Sequence, residues 1–290
     1  MGEGAIRLEI SAGAATIELN RPQSLNAWNL ELGTELREAI ATVGGDDAVR
    51  AVLITGAGRA FSSGADLREQ RQPGDEGLPD LSARLREVYH PILFGIREMP
   101  KPVVAAVNGP AVGIGCSLAL ACDLVLAAES SYLLLAFVNV GLVPDGGSTA
   151  FVPARAGHAR AAEMAMLGER VPARKALEWG LVNRVVADDE LAGDARALLE
   201  RLAGGPTASY AGSKRLLNRR LYADLAGQLE AEAEAQREQG RTEDFVEGVL
   251  AFAEKRLPRF GSTNPSGMLG AEVPVSVGPA GVTRVLGLVR

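Results

Sequence analysis

A chain of 290 residues with 47% hydrophobic content can bury a full core in one large domain, or in one domain with a small appendage. Its 30 Lys plus Arg against 36 Asp plus Glu leave a net charge of −6, and the basic residues are dispersed, which argues against nucleic acid as a partner. No run of roughly 18 uncharged apolar residues occurs, and the acidic N-terminus does not read as an export signal, so no membrane span and a cytoplasmic location are expected. Cys116 and Cys122 share one apolar run without metal-ligand spacing, as reduced core cysteines would.

In chain order, Ile6, Leu8 and Ile10, then Ala15, Ile17 and Leu19, alternate with polar or small residues around Gly13 and predict a β-hairpin closed by Asn20 to Pro22. Trp28, Leu32, Leu36 and Ile40 recur at helical spacing, and Ala51 to Thr55 is a short apolar strand of the buried type. After the polar stretch Gln70 to Asp80, a helix through Leu93 is stopped by Pro100 and Pro102 before the strand Val103 to Val107. Gly113 and Gly115 lead into an apolar run ending at Cys122, a strand over Asp123 to Ala127 follows, and two helices surround Met164 and Ala176. From Pro206 to Leu257 the pattern is helical throughout, with Pro258 as a stop, and reads as an appended helical region that packs on the core or on a neighbouring subunit. Residues 261–290 are rich in Gly, Pro and Val and match neither texture. The expected division is therefore 1–205, 206–260 and 261–290.

Val52 to Gly58 imitates the strand and first glycines of a dinucleotide-binding turn, but Phe61 stands where the third glycine is due. Gly56 and Gly58 read instead as a tight turn leaving a buried strand. Two other segments carry more information: Ala60-Phe61-Ser62-Ser63-Gly64-Ala65-Asp66-Leu67 and Asn108-Gly109-Pro110-Ala111-Val112-Gly113-Ile114-Gly115-Cys116-Ser117. Each follows a buried strand and is expected to open a helix, leaving backbone N–H groups unpaired at its start. Either alone is also an ordinary glycine-containing connection; together they could hold one oxyanion.

With Arg21-Pro22, Leu25-Asn26-Ala27, Lys101 to Gly109, Ala121 to Leu124, Gly141-Leu142-Val143-Pro144 and Ala176 to Asn183, these segments resemble the crotonase, or enoyl-CoA hydratase/isomerase, superfamily from about residue 5 to residue 260. The resemblance implies an α/β fold, a spiral of ββα units with a C-terminal helical trimerisation region, and a coenzyme A thioester as substrate. It implies no metal and no cofactor beyond the coenzyme A carried by the substrate, and a homotrimer or dimer of trimers. Carried over by position, the oxyanion hole would be the N–H groups of Ala65 and Ile114, with Ala27, Ser63, Asp66, Leu67, Gly113 and Phe137 along the substrate and coenzyme. Ile114 is bulkier than the residue usual there, and Asp66 reads equally as the N-cap of a following helix.

Family members that hydrate a 2-enoyl-CoA are similar in carrying two glutamates, at positions that here are Ser117 and Phe137. A hydroxyl is a poor general base at neutral pH and a phenyl ring transfers no protons. Asp145 instead stands where members such as 1,2-epoxyphenylacetyl-CoA and Δ3,Δ2-enoyl-CoA isomerases keep an acidic residue. The resemblance thus implies double-bond migration through Asp145, in a site lined by Phe137 and Val143. Three readings stay open: that isomerase, a hydratase with unusual residues, and a non-catalytic acyl-CoA binder. Asp145 also reads as a plain turn residue in Pro-Asp-Gly-Gly. His90, His158, Asp123, Glu129 and Glu163 read as structural or surface groups, and Lys255 and Arg256 as solvated charges where relatives approach the coenzyme.

Overall fold

The computed structural model describes residues 4–69, 80–261, 276–278 and 281–283. Most of the polar stretch after Glu69 and most of the C-terminal tail lie outside these residues.

Strands β1 (Ile6–Ser11) and β2 (Ala14–Leu19) form the expected antiparallel hairpin, and α1 (Leu30–Gly45) follows. Asn29 begins α1 by accepting a hydrogen bond from the Leu32 N–H on its side chain. Trp28, expected within this helix, therefore precedes it. After β3 (Ala51–Gly56), α2 (Leu81–Arg84) and α3 (His90–Glu98) are joined by the π-helical turn Leu85–Tyr89 into one helical stretch. Then come β4 (Val103–Val107), β5 (Pro110–Val112), α4 (Ile114–Ala121), β6 (Leu124–Ala128), β7 (Tyr132–Leu134) and a 3-10 turn, Ala136–Val140. Helices α5 (Ser148–Ala156), α6 (His158–Leu167) and α7 (Ala173–Glu178) alternate with β8 (Val171–Pro172) and β9 (Arg184–Val186). Four helices close the described body: α8 (Leu191–Ala203), α9 (Thr207–Leu221), α10 (Leu225–Gln239) and α11 (Glu243–Glu254). A two-stranded ladder, β10 (Ser276–Gly278) with β11 (Gly281–Thr283), lies in the tail.

The main sheet runs β1-β2-β3-β4-β6-β9, with every pair after the first hairpin parallel. Its central strands are almost wholly apolar because both faces are covered, and the exception, Thr55, donates its hydroxyl to the Ala106 carbonyl at 2.9 Å. Val52 and Ile54 enter the larger core with α1 and α3, whereas Ala51, Leu53, Val104, Ala106 and Leu126 pack with Leu191, Ala195 and Leu199 of α8.

Strand β6 begins at Leu124, one residue later than expected, and the side chain of Asp123 before it is fully engaged. It accepts from the Val103 N–H at 2.9 Å and pairs with Arg97 at 3.0 Å and Lys214 at 2.8 Å. A carboxylate drawn out of water needs such partners. The small sheet β5-β7-β8 is not apparent in the sequence, since strands of two or three residues leave no readable period. The helical C-terminal region joins the body: Leu225, Leu229 and Ala233 of α10 belong to the larger core. Helix α11 presses on the 3-10 turn so closely that a β-carbon on Gly248 would lie 2.5 Å from the Val140 backbone. Among the described residues, no helix is long and apolar enough to cross a membrane.

Candidate active site

The first glycine segment runs beside two neighbours. The Trp28 N–H donates to the Gly64 carbonyl at 2.8 Å and the Asp66 N–H to the Trp28 carbonyl at 2.9 Å, a parallel bridge between Trp28 and Ala65. On the other side, Ser62 bridges Ala111: the Ser62 N–H donates to the Pro110 carbonyl at 3.0 Å and the Val112 N–H to the Ser62 carbonyl at 2.9 Å. Because the Gly64 carbonyl and the Asp66 N–H both face Trp28, the N–H of the intervening Ala65 is directed away from Trp28. Beyond this bridge the two segments stay close, with Gly64 and Gly113, the residues before the two proposed donors, side by side.

The glycines preceding those donors allow the approach. A β-carbon on Gly64 would lie 3.0 Å from the Val112 carbonyl oxygen, and one on Gly113 3.8 Å from the Gly64 Cα. Both glycines have positive φ, +92° and +53°, which a side chain would disfavour. Ile114 is the first residue of α4, where an N–H has no partner within its own helix, and Gly113 before it brings no side chain to cap that end. The Ile114 N–H therefore gains from the helix dipole. Among the described residues no helix starts at Ala65: residues 67–69 form a turn. Asp66 closes this turn as a cap would, its carbonyl accepting from the Glu69 N–H at 3.1 Å. Its carboxylate accepts from the Arg68 N–H at 3.2 Å and from the Arg21 guanidinium at 3.2 Å.

The other residues expected along the substrate have the following surroundings. Ala27 is buried, and Ser63 is tied to the Leu25 carbonyl through its N–H at 2.9 Å and to the Ser24 carbonyl through its hydroxyl at 3.2 Å. Leu67 is half-buried in the turn that follows. Phe137, on the 3-10 turn, brings its ring edge to 3.8 Å from a β-carbon position on Gly113.

Asp145 is 5% exposed and lies in the turn before α5. The Ser117 hydroxyl donates to the Asp145 carbonyl at 2.8 Å, and the Gln236 amide donates to Asp145 Oδ2 at 2.8 Å. The next residue, Gly146, faces α4 so closely that a β-carbon there would lie 2.4 Å from Ile114 Cδ1. The turn carrying the carboxylate is thus packed against the residue whose N–H heads α4.

Nothing in the sequence singles out Glu232 and Gln236, because a helix rich in Ala, Glu and Gln reads as a solvated one. Both are buried, at 3% and 1% exposure. Glu232 accepts from the Gly147 N–H at 2.7 Å, the Thr149 N–H at 3.0 Å and the Thr149 hydroxyl, at the start of α5. Burial pushes its carboxyl up to about 7 from the ordinary 4.5, against the downward pull of those donors. Between these two values the folded chain holds the Glu232 proton while the unfolded chain has lost it. The stability contribution of this group is therefore greatest below about 4.5 and is lost as pH rises to about 7. Denaturant titrations at pH 5 and pH 8 should show wild type losing stability relative to Glu232→Gln by up to about 3 kcal/mol. A pH-independent difference would contradict this.

The sequence profile of the enoyl-CoA hydratase/isomerase family matches residues 9–263. The chain belongs to this family. It is 41% identical to the 1,2-epoxyphenylacetyl-CoA isomerase of Escherichia coli K12, over 87% of this chain and 96% of that protein. It is 44% identical to the "probable enoyl-CoA hydratase" of Rhodobacter capsulatus, over 90% and 99%. An enoyl-CoA hydratase structure from Mycobacterium avium subsp. paratuberculosis K-10 superposes with a TM-score of 0.81 at 38% identity, covering 88% of this chain and 98% of that one. The crotonase fold expected from the sequence motifs is thereby established, and an acyl-CoA substrate is consistent with the family. Relatives named as isomerases and as hydratases both occur at this similarity.

Proposed function

We propose that this family member is an enoyl-CoA isomerase in which Asp145 carries the migrating proton. The observation that carries this reading is the buried Asp145 turn packed against Ile114, with Ser117 and Phe137 where hydratase members resemble one another in carrying glutamates. The thioester carbonyl would lie between the Ala65 and Ile114 N–H groups. Asp145 removes a proton from the acyl chain, the resulting dienolate oxygen is held by the two donors, and the same carboxyl returns the proton two carbons away. One carboxylate suffices, and no water is consumed. Phe137 and the buried Leu133 and Leu135 support the exclusion of water, which would otherwise compete for the intermediate. The exposed Leu216, Leu217 and Leu221 of α9 fit the expected assembly as a homotrimer or dimer of trimers.

Incubation with a 3-enoyl-CoA in D₂O, followed by NMR, tests the reaction. The expected product is the shifted 2-enoyl-CoA, with deuterium entering at carbon only as far as the proton on Asp145 exchanges with solvent before it is returned. Accumulation of a 3-hydroxyacyl-CoA as the direct product from a 2-enoyl-CoA, without double-bond migration, would assign a hydratase instead. Tight thioester binding with neither reaction would leave a non-catalytic binder.

A further inference from the structure

Helix α10 presents Gln228, Glu232 and Gln236 at successive steps of four, which places them on one stripe. Each bonds to the same short segment. The Gln236 amide donates to the Val143 carbonyl at 2.8 Å as well as to Asp145 Oδ2, Glu232 holds the Gly147 and Thr149 N–H groups, and the Gln228 amide donates to the Thr149 hydroxyl at 2.7 Å. The Ser117 hydroxyl secures the segment from α4. A buried carboxylate and a buried amide are expensive on a helix that otherwise buries Leu225, Leu229 and Ala233, where apolar side chains would pack without that cost. Their shared target is the turn that carries Asp145. The terminal torsion of an aspartate is broad, so its carboxylate plane is fixed only by a partner.

We propose that Gln236 is a positioning residue that orients the Asp145 carboxylate, with Glu232 and Gln228 holding the turn on which it stands. The inference rests on Asp145 being the proton carrier. A neutral amide suits this place: it donates to the carboxylate but does not compete for the proton being moved. The same helix thus closes the core and sets the geometry of the site.

The test compares Gln236→Met, which keeps approximate volume and removes the donor, in the wild-type and Asp145→Asn backgrounds, using a 3-enoyl-CoA. In the wild-type background kcat should fall about 10- to 100-fold, the cost of a misplaced reacting group, with KM little changed. In the Asp145→Asn background the residual rate should fall no further, because effects acting through one group are not additive. A wild-type kcat, or an equal fall in both backgrounds, would overturn the positioning role. If Asp145→Asn alone is as active as wild type, the underlying isomerase reading fails instead. Should Gln236→Met not fold by circular dichroism, Thr149→Val removes the hydroxyl between Glu232 and Gln228 and is subject to the same two-background comparison, with the same pair of deciding outcomes.

Discussion

Asp145→Asn is expected to lower kcat by about 10² to 10⁴, the range for loss of a general acid–base group, while leaving KM for the thioester nearly unchanged. Asparagine has the shape of aspartate, and its side-chain oxygen can still accept from Gln236, so the turn should keep its form. What it loses is the capacity to take and return a proton near neutral pH. The Ala65 and Ile114 donors remain, so slow enolisation above the uncatalysed rate should persist. Steady-state kinetics with a 3-enoyl-CoA, paired with carbon-bound proton exchange in D₂O, measures both parts. An undiminished exchange rate in the variant would remove Asp145 from the mechanism.

Ile114→Pro should lower kcat/KM by about 10² to 10³, the usual cost of losing one oxyanion donor. A backbone donor is rarely removable by substitution, but Ile114 is the first residue of α4, where proline's fixed φ is compatible with a helix and the missing N–H breaks no helical bond. Ile114→Val keeps the N–H with a modest loss of volume at this buried position and serves as the control. Helical circular dichroism should match wild type in both. If the proline variant folds and retains the activity of the valine variant, the Ile114 N–H does not hold the substrate carbonyl.

Much of the fold is legible in the sequence because its signals are local. The apolar runs at Ala51 to Thr55 and Val103 to Val107 are central parallel strands covered on both faces, and that burial demands continuous apolarity. The hairpin is readable from its alternation around Gly13, and α9 to α11 from helical spacing. Trp28 misleads because its position fits the helical period, although Asn29 caps the helix after it and Trp28 instead bridges Ala65. Asp66 accepts from the Arg68 N–H as a cap would, but its carboxylate also pairs with Arg21 across the fold, a partner that local pattern does not show.

Local residue patterns are enough to specify the apolar strands, the glycine-bearing turns after them and the acidic residue after Pro144, since each depends on residue types within a few positions. Packing decides the pairing that brings Gly64 beside Gly113 and the burial of Glu232 and Gln236 against the Asp145 turn. The first depends on chains paired across long sequence separation. The second depends on partners: a polar side chain on a helix has the same local pattern whether it meets water or a buried backbone N–H, and the two are distinguished by what packs against it.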